Sequence, residues 1–369
     1  MAARPATRRT PVPTVDAAAR PAIRDFTGGA AGHVLEWDVR PVYDFMFSMS
    51  GEVGTTDDLP IADREWATES RGNLSSERRD AFDRMCETQT AVHLASFVVE
   101  RRSIETAGAL VEALEAAGPA ALLRSMFSET AATDPTIAPI LERALSGDAT
   151  ALEQLRAALP EWHREERLAM LANPVDTHRE IVDLTRAWAE AFGPIEGRIK
   201  AMLVRDYELR AEDRATLTGS DLIERTTGGV RWLPEPGIRR VVLAPSYFAR
   251  PFNFLLAGAD WRFFGYPVSD EAIDSPDPLA PPPQVLRLHR ALGDGTRLRI
   301  LKLLTERDLY LTEIAQQLDL SKPTIKHHLA LLRAAGLLTV VESGAVVYYS
   351  LRRARLDDAS IDLKQFLVG

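Results

Sequence analysis

At 369 residues, 46% of them hydrophobic and 26% charged, the chain has room for two domains with separate cores. No run approaches the roughly 18 consecutive apolar residues of a membrane span, the N-terminus lacks the apolar core of a secretory signal, and a soluble cytoplasmic protein is expected. Cys86 is the only cysteine, which excludes an internal disulfide, a CxxC redox pair and a thiolate-rich zinc site within one chain.

The net charge of −9 is unevenly spread: Pro282 to Gly369 carry 13 basic and 9 acidic residues, a net of +4, leaving −13 for the rest. That asymmetry directs the smaller part toward a polyanion. In chain order, residues 1–30 are rich in Arg, Pro, Ala and Thr without periodicity, as in a disordered arm. From about 40 to 227, segments such as ERRDAFDRMCETQTAVHLASFVVE and THREIVDLTRAWAEAF place apolar residues three and four apart. They predict successive helices punctuated at Pro135, Pro160, Pro174 and Pro194, and Cys86 reads as a small core residue. Between 230 and 267, VRWLP, RRVVLAPS, NFLLAG and DWRFFGYPV predict a small antiparallel sheet with a hairpin near Gly258 to Asp260. SDEAIDSPDPLAPPP then reads as a proline-rich linker.

After the linker, QVLRLHRALGD predicts one helix and TRLRILKLLTER a second, capped by Thr296. LTEIAQQLDL follows with Thr312 as its cap, and only Asp319 and Leu320 separate it from SKPTIKHHLALLRAAG. Two helices joined this tightly must cross, giving a helix-turn-helix. At about 100° per residue, Ile325, Leu329 and Leu332 share one face, while Pro323, Lys326, His327 and Ala330 lie opposite. Ser321 is placed to cap this helix, and Pro323 fits its first turn. The outer face therefore mixes short side chains with cations, as a helix entering a major groove requires. The adjacent His327 and His328 diverge by about 100°, whereas two metal ligands on one helical face need a spacing of three or four. Past Gly336, LLTVV and AVVYYSLR predict a two-stranded wing.

Residues 284–351, with ALGDGTRLRILKLL, LTEIAQQLDLSKPTIKHHLALLRAAGLL and VVESGAVVYYSLR, resemble the ArsR family of bacterial winged-helix repressors. The resemblance implies a homodimeric, sequence-specific regulator bound to double-stranded DNA at a pseudo-palindromic operator and released by an inducer. The family's hydroxyl-x-Pro-x-Ile-x-x-His-Leu pattern falls on Ser321, Pro323, Ile325, His328 and Leu329. DNA contact is then expected around Ser321, Lys322, Thr324, Lys326, His327 and His328, with Ser343 at the wing tip. Metal sensors of the family carry cysteines before the recognition helix, or His and acidic ligands in the last helix. Here those segments read DLYLTEIA and LDDASIDLKQF, so neither a metal nor a cofactor is expected, and Asp357, Asp358 and Asp362 read as a solvated face.

The resulting expectation is an α+β, mainly helical chain: an arm over 1–30, a helical sensor or dimerisation domain with a small sheet over 31–270, a linker over 271–283, and a winged helix-turn-helix domain over 284–369. Eight of the 26 aromatic residues fall between Tyr247 and Tyr266. Among them Tyr247, Phe248, Phe252, Trp261 and Phe263 suit either a pocket for an apolar small-molecule effector or the core between sheet and helices. No GxSxG, Walker loop, GxGxxG after a strand or HExxH occurs. Ser246 lacks the glycines of a nucleophile elbow, and His163 with Glu166 and His178 with Asp183 are pairs that surface helices produce routinely. A non-enzyme is expected, the alternatives being an enzyme or a protein-interaction module with a fused winged helix.

Overall fold

The computed structural model describes residues 24–28, 33–50, 58–134, 136–159, 164–273, 281–343 and 346–368, and they are mainly helical. Strand β1 (Arg24–Gly28) pairs antiparallel with β2 (Val34–Asp38), so the expected arm ends in a strand, and its residues 1–23 lie outside the described residues. Helices fill most of the described chain between Pro41 and Thr227. The longest, Pro174–Leu209, has 36 residues and runs through Pro194, which the sequence pattern places at a boundary. A proline inside a helix costs about 3 kcal/mol. On either side of it Trp188, Phe192, Ile199 and Leu203 are buried in the main core, and their burial offsets that cost at about 1.5–3 kcal/mol each.

The next strands are β3 (Val230–Trp232), β4 (Arg240–Ser246), β5 (Phe254–Ala257) and β6 (Trp261–Pro267). The expected hairpin is present as β5 and β6, closed by the Gly258 N–H donating to the Trp261 carbonyl at 3.0 Å. The sheet, however, is mixed rather than antiparallel. Its order is β1-β2-β4-β6-β5, with β2/β4 and β4/β6 parallel. Parallel neighbours need a long crossover, and between β2 and β4 the whole helical body supplies it. Both faces of the sheet are covered. Val242, Ala244 and Phe263 pack on the helical body, while Val241, Leu243, Phe264 and Tyr266 join a second cluster with Trp37, Ile223 and Trp232. That explains the unbroken apolar run of β4, which strict alternation cannot produce.

The aromatic segment is therefore mostly core. Tyr247, Phe248, Trp261 and Phe263 are each no more than 2% exposed, with Phe263 4.9 Å from the Tyr43 ring and Phe248 5.3 Å from Trp66. Burial against neighbouring rings leaves these four no surface for an effector. Phe252 alone of the five is half-buried at a cleft.

The last part of the chain folds in the order helix Pro283–Leu292, helix Gly295–Leu304, β7 (Leu309–Tyr310), helices Leu311–Leu318 and Lys322–Ala334, β8 (Leu338–Ser343), β9 (Val346–Leu351) and helix Arg353–Val368. Leu288, Ile300, Leu304, Ile314, Leu329 and Leu332 form its core. The wing sheet has the order β3-β8-β9-β7. Strand β3, expected in the first sheet, instead lies parallel to β8, with Val230, Arg231 and Trp232 opposite Val340, Val341 and Glu342. Gly229 makes this approach possible: it has φ +127°, and a Cβ there would lie 2.7 Å from the Leu338 carbonyl oxygen.

A second tie bridges the linker, whose residues 274–280 lie outside the described ones. Arg287 of the first winged-module helix pairs with Asp58 at 2.6 Å and Asp270 at 3.0 Å, and the Gln284 N–H donates to Asp270 at 3.0 Å. Phe263→Ala is expected to lower the unfolding free energy by about 3–5 kcal/mol, measured by urea denaturation, as a residue sealed between sheet and helices must.

Candidate nucleic-acid interface

The two crossing helices are set by local chemistry. Helix Leu311–Leu318 ends at Asp319, whose φ of +55° turns the chain, a left-handed conformation that aspartate tolerates better than most residues. Ser321 caps the next helix, its hydroxyl oxygen accepting from the Thr324 N–H at 3.3 Å. Gly336, with φ +73°, ends it, and the Leu337 N–H donates back to the Leu332 carbonyl at 3.0 Å. Two expected caps fall elsewhere. Asp294, not Thr296, caps helix Gly295–Leu304 by accepting from the Arg297 N–H at 2.8 Å. Thr312 lies inside its helix, whose start is held by the Tyr310 N–H donating to Glu313 at 2.9 Å. In both places a carboxylate accepts the hydrogen bond more strongly than a hydroxyl does.

Ile325, Leu329 and Leu332 are at most 1% exposed and anchor the helix Lys322–Ala334. Ser321, Lys322, Thr324, Lys326 and His327 are exposed. His328 is half-buried, its Nδ1 3.9 Å from Asp294, and burial lowers its pKa, so the ring is mainly neutral at pH 7. Its ring centroid is 6.0 Å from that of His327 with the planes at 62°. Among the described residues no three His, Cys, Asp or Glu gather into a metal-holding group. Ser343 closes β8, and its side chain lies outside the described residues. The base of the wing is braced by Tyr310 and Tyr348, whose hydroxyls hydrogen-bond and whose rings lie 4.2 Å apart.

This arrangement is a helix-turn-helix followed by a wing. Residues 294–340 match the family described as bacterial regulatory protein, arsR family. Over 70 residues the chain is 39% identical to the transcriptional repressor SdpR of Bacillus subtilis, which spans 19% of this chain and 78% of that protein. The chain belongs to the ArsR family. It is also 34% identical over 94 residues to the HTH-type transcriptional regulator KmtR of Mycobacterium tuberculosis, covering 25% of this chain and 72% of that one. Against the arsenical resistance operon repressor of Escherichia coli it is 43% identical over 67 residues, 18% of this chain and 57% of that one. This ArsR-family chain is thus a DNA-binding transcription regulator, and the family match lies in its C-terminal part. Among the described residues no helix is long and apolar enough to cross a membrane.

The structure adds a feature with no local signal in the sequence. Lys326, Ala330 and Arg333 of the recognition helix line a cleft of about 630 Å³ whose opposite wall is built from the N-terminal part, including His93, Glu129, Asp134 and Arg167. These groups come from segments 160 to 230 residues apart, so periodicity cannot bring them together. The residues weighed for catalysis go elsewhere. Ser246 is fully buried and donates to Asp44, a carboxyl that burial pushes up to about 7. His178 bonds to the Leu114 carbonyl at 2.8 Å while Asp183 pairs with Arg78, and His163 lies outside the described residues.

In the cleft wall, Arg167 Nη2 lies 3.0 Å from His93 Nε2. Arginine can only donate, so Nε2 accepts and the proton sits on Nδ1. Burial and then the Arg167 charge push the His93 pKa down to about 3, against an ordinary 6.5. The unfolded chain binds a proton that the folded chain refuses, so stability falls as the pH drops from about 6.5 toward 3. Between pH 7 and pH 5 the wild type is expected to lose about 2 kcal/mol more than His93→Gln, read by urea denaturation at the two pH values.

Proposed function

We propose that this ArsR-family regulator is a repressor that binds a pseudo-palindromic operator as a homodimer in the cytoplasm and is released by a small non-metal effector of its N-terminal part, which has no catalytic activity of its own. The observation that carries the reading is the recognition helix, with a buried apolar side locking it to the core and an exposed side bearing Lys322, Thr324, Lys326 and His327. Lysine and threonine donate to base edges or phosphates, and the short residues between them permit close approach. Ser321 and His328 hold the helix in place, and Ser343 is assigned to the wing tip that meets the backbone. One winged helix reads only a few base pairs, so a two-fold dimer is needed for a specific site. Its surface is assigned to the first and last helices of the module, where Leu286, Leu356, Ile361, Phe366 and Leu367 are exposed. Exposed large apolar residues on two adjacent helices fit a partner surface better than solvent.

Metal independence is supported by Cys86, whose thiol is pushed up to about 12 by burial and donates to the Met49 carbonyl at 3.3 Å. A thiol held protonated makes a poor metal ligand. Sensing by the N-terminal part is supported by β3, which joins that part directly to the wing.

Lys326→Ala is expected to weaken operator binding. A contact to a base relaxes specificity at one position by about 1–3 kcal/mol, whereas a contact to phosphate gives a uniform loss on operator and random DNA. His327→Ala should lower affinity with an unchanged melting temperature, and His328→Ala should lower both, as titrations by fluorescence anisotropy beside thermal melts will separate. Sedimentation should give a dimer at micromolar concentration, free and on DNA, and zinc, cadmium or arsenite should leave both melting temperature and operator binding unchanged. A monomer on DNA, or release by stoichiometric metal, overturns the corresponding part of the reading.

A further inference from the structure

The cleft of about 630 Å³ between the recognition helix and the N-terminal part is within the usual size range of small-molecule sites, roughly 300–1,000 Å³. Its walls differ in chemistry from one region to another. One region carries Arg167 and His93, 7% and 8% exposed, with Glu129 Oε2 3.8 Å from His93 Nδ1. Across it stand Lys326 and Arg333 of the recognition helix. The lining therefore holds three cations, Arg167, Lys326 and Arg333, with two carboxylates, Glu129 and Asp134, and the neutral imidazole of His93. Burial lowers the pKa of Arg167, so its charge is held away from water, while the Glu129 side chain is 41% exposed. An anion brought to a desolvated guanidinium gains a charge-assisted, bidentate hydrogen bond that water replaces poorly. The remaining lining is mainly apolar, with Val92, Ile137, Phe252 and Leu256 from the N-terminal part and Val340 and Val347 from the wing, beside the polar Gln89, Thr130, Asn253 and Tyr349.

One further arginine-lined cleft lies on the interface. The second interface cleft, of about 560 Å³, is lined by Arg210, Arg250, Arg287 and Arg355, but each of these already pairs with an aspartate. Of these pairs Arg287 joins the two parts, and the other three close within one part. The cleft at Lys326 has a different position in the molecule, because it opens onto the helix assigned to DNA.

We propose that this cleft is the effector site, that its ligand is a small monocarboxylate with an apolar body, and that its occupancy and operator binding exclude each other. The carboxylate sits at Arg167 with Lys326 and Arg333 closing over it, and the apolar body lies against Phe252 and the wing valines. A major groove about 12 Å wide must receive the same helix face, so a ligand bound to Lys326 occupies a group that DNA must contact. Linkage then requires each ligand to weaken the other by the same factor. This assignment rests on the repressor reading above and names the ligand class and place that reading leaves open.

The test uses the full chain with octanoate, decanoate, phenylacetate and 3-phenylpropionate, and with the primary amide of each as the uncharged control. Thermal melts without DNA read the cleft, and fluorescence anisotropy on a DNA fragment protected by the wild type reads the coupling. At least one carboxylate should raise the melting temperature and weaken operator binding by about tenfold or more, its amide doing neither. Arg167→Gln should abolish both responses and Arg167→Lys should retain part of them. Should Arg167→Gln fail to fold, Ala158→Trp, at an exposed position on the cleft rim, blocks the same space and should abolish both responses. The assignment is overturned if no carboxylate shifts the wild-type melt, or if the shift survives undiminished in Arg167→Gln or in Ala158→Trp. It is also overturned if a bound carboxylate leaves operator affinity unchanged. Absence of any protected DNA fragment instead removes the repressor reading, while the melts still report whether the cleft takes a carboxylate.

Discussion

The backbone hydrogen bonds between β3 and β8 join a strand of the N-terminal part to the wing of a DNA-binding module more than a hundred residues away. An isolated wing exposes the free edge of β8, and such an edge invites unwanted pairing. Here that edge is covered from within the chain. The Val340 N–H donates to the Gly229 carbonyl at 2.7 Å, the Arg352 guanidinium donates to the Gly228 carbonyl at 3.2 Å, and Gly229 lies too close to Leu338 for any side chain. A displacement of β3 is therefore a displacement of the wing, with no flexible segment between them.

The ion pairs around Arg287 restrict the interface in a second direction. Arg287 sits between Asp58 and Asp270, and Asp270 also holds Arg250. Burial opposes the Arg287 charge while these carboxylates raise its pKa, with a net upward shift. Buried pairs of this kind contribute little net stability, because desolvation cancels much of the attraction, but breaking one partner is costly. Their consequence is geometric: they select one placement of the first winged-module helix against the N-terminal part. The clefts on this interface exist because the contact is made through a strand edge and a salt-bridge network rather than a continuous apolar face.

The recognition helix shows how one short segment satisfies two demands. Its apolar residues at three- and four-residue spacing reach the core, and that leaves the other side for polar and cationic groups. His327 and His328 are divided by the same angle, one in solvent and one half-buried beside Asp294.

Helix periodicity, the Ser321 cap, the short turn and the glycine stop at Gly336 are local features, so the winged helix-turn-helix was legible in the residues themselves, and with it the family. The hairpin of β5 and β6 was legible for the same reason, since its turn and both strands are contiguous. Other elements were decided by tertiary structure. The caps moved to Asp294 and Tyr310 because carboxylates accept at these helix starts, Asp294 from the Arg297 N–H and Glu313 from the Tyr310 N–H. The first sheet became mixed because β2 pairs with a strand 200 residues later. Strand β3 left that sheet for the wing, and the helix Pro174–Leu209 ran through Pro194 because the apolar residues flanking it are buried. The aromatic segment is compatible with core or pocket by composition, and only packing assigned Tyr247, Phe248, Trp261 and Phe263 to the core. The cleft that brings His93, Glu129 and Arg167 to Lys326 has no local pattern at all. Local periodicity and capping chemistry carry information over one or two turns, whereas strand partners, buried charges and cleft walls depend on which distant surfaces meet.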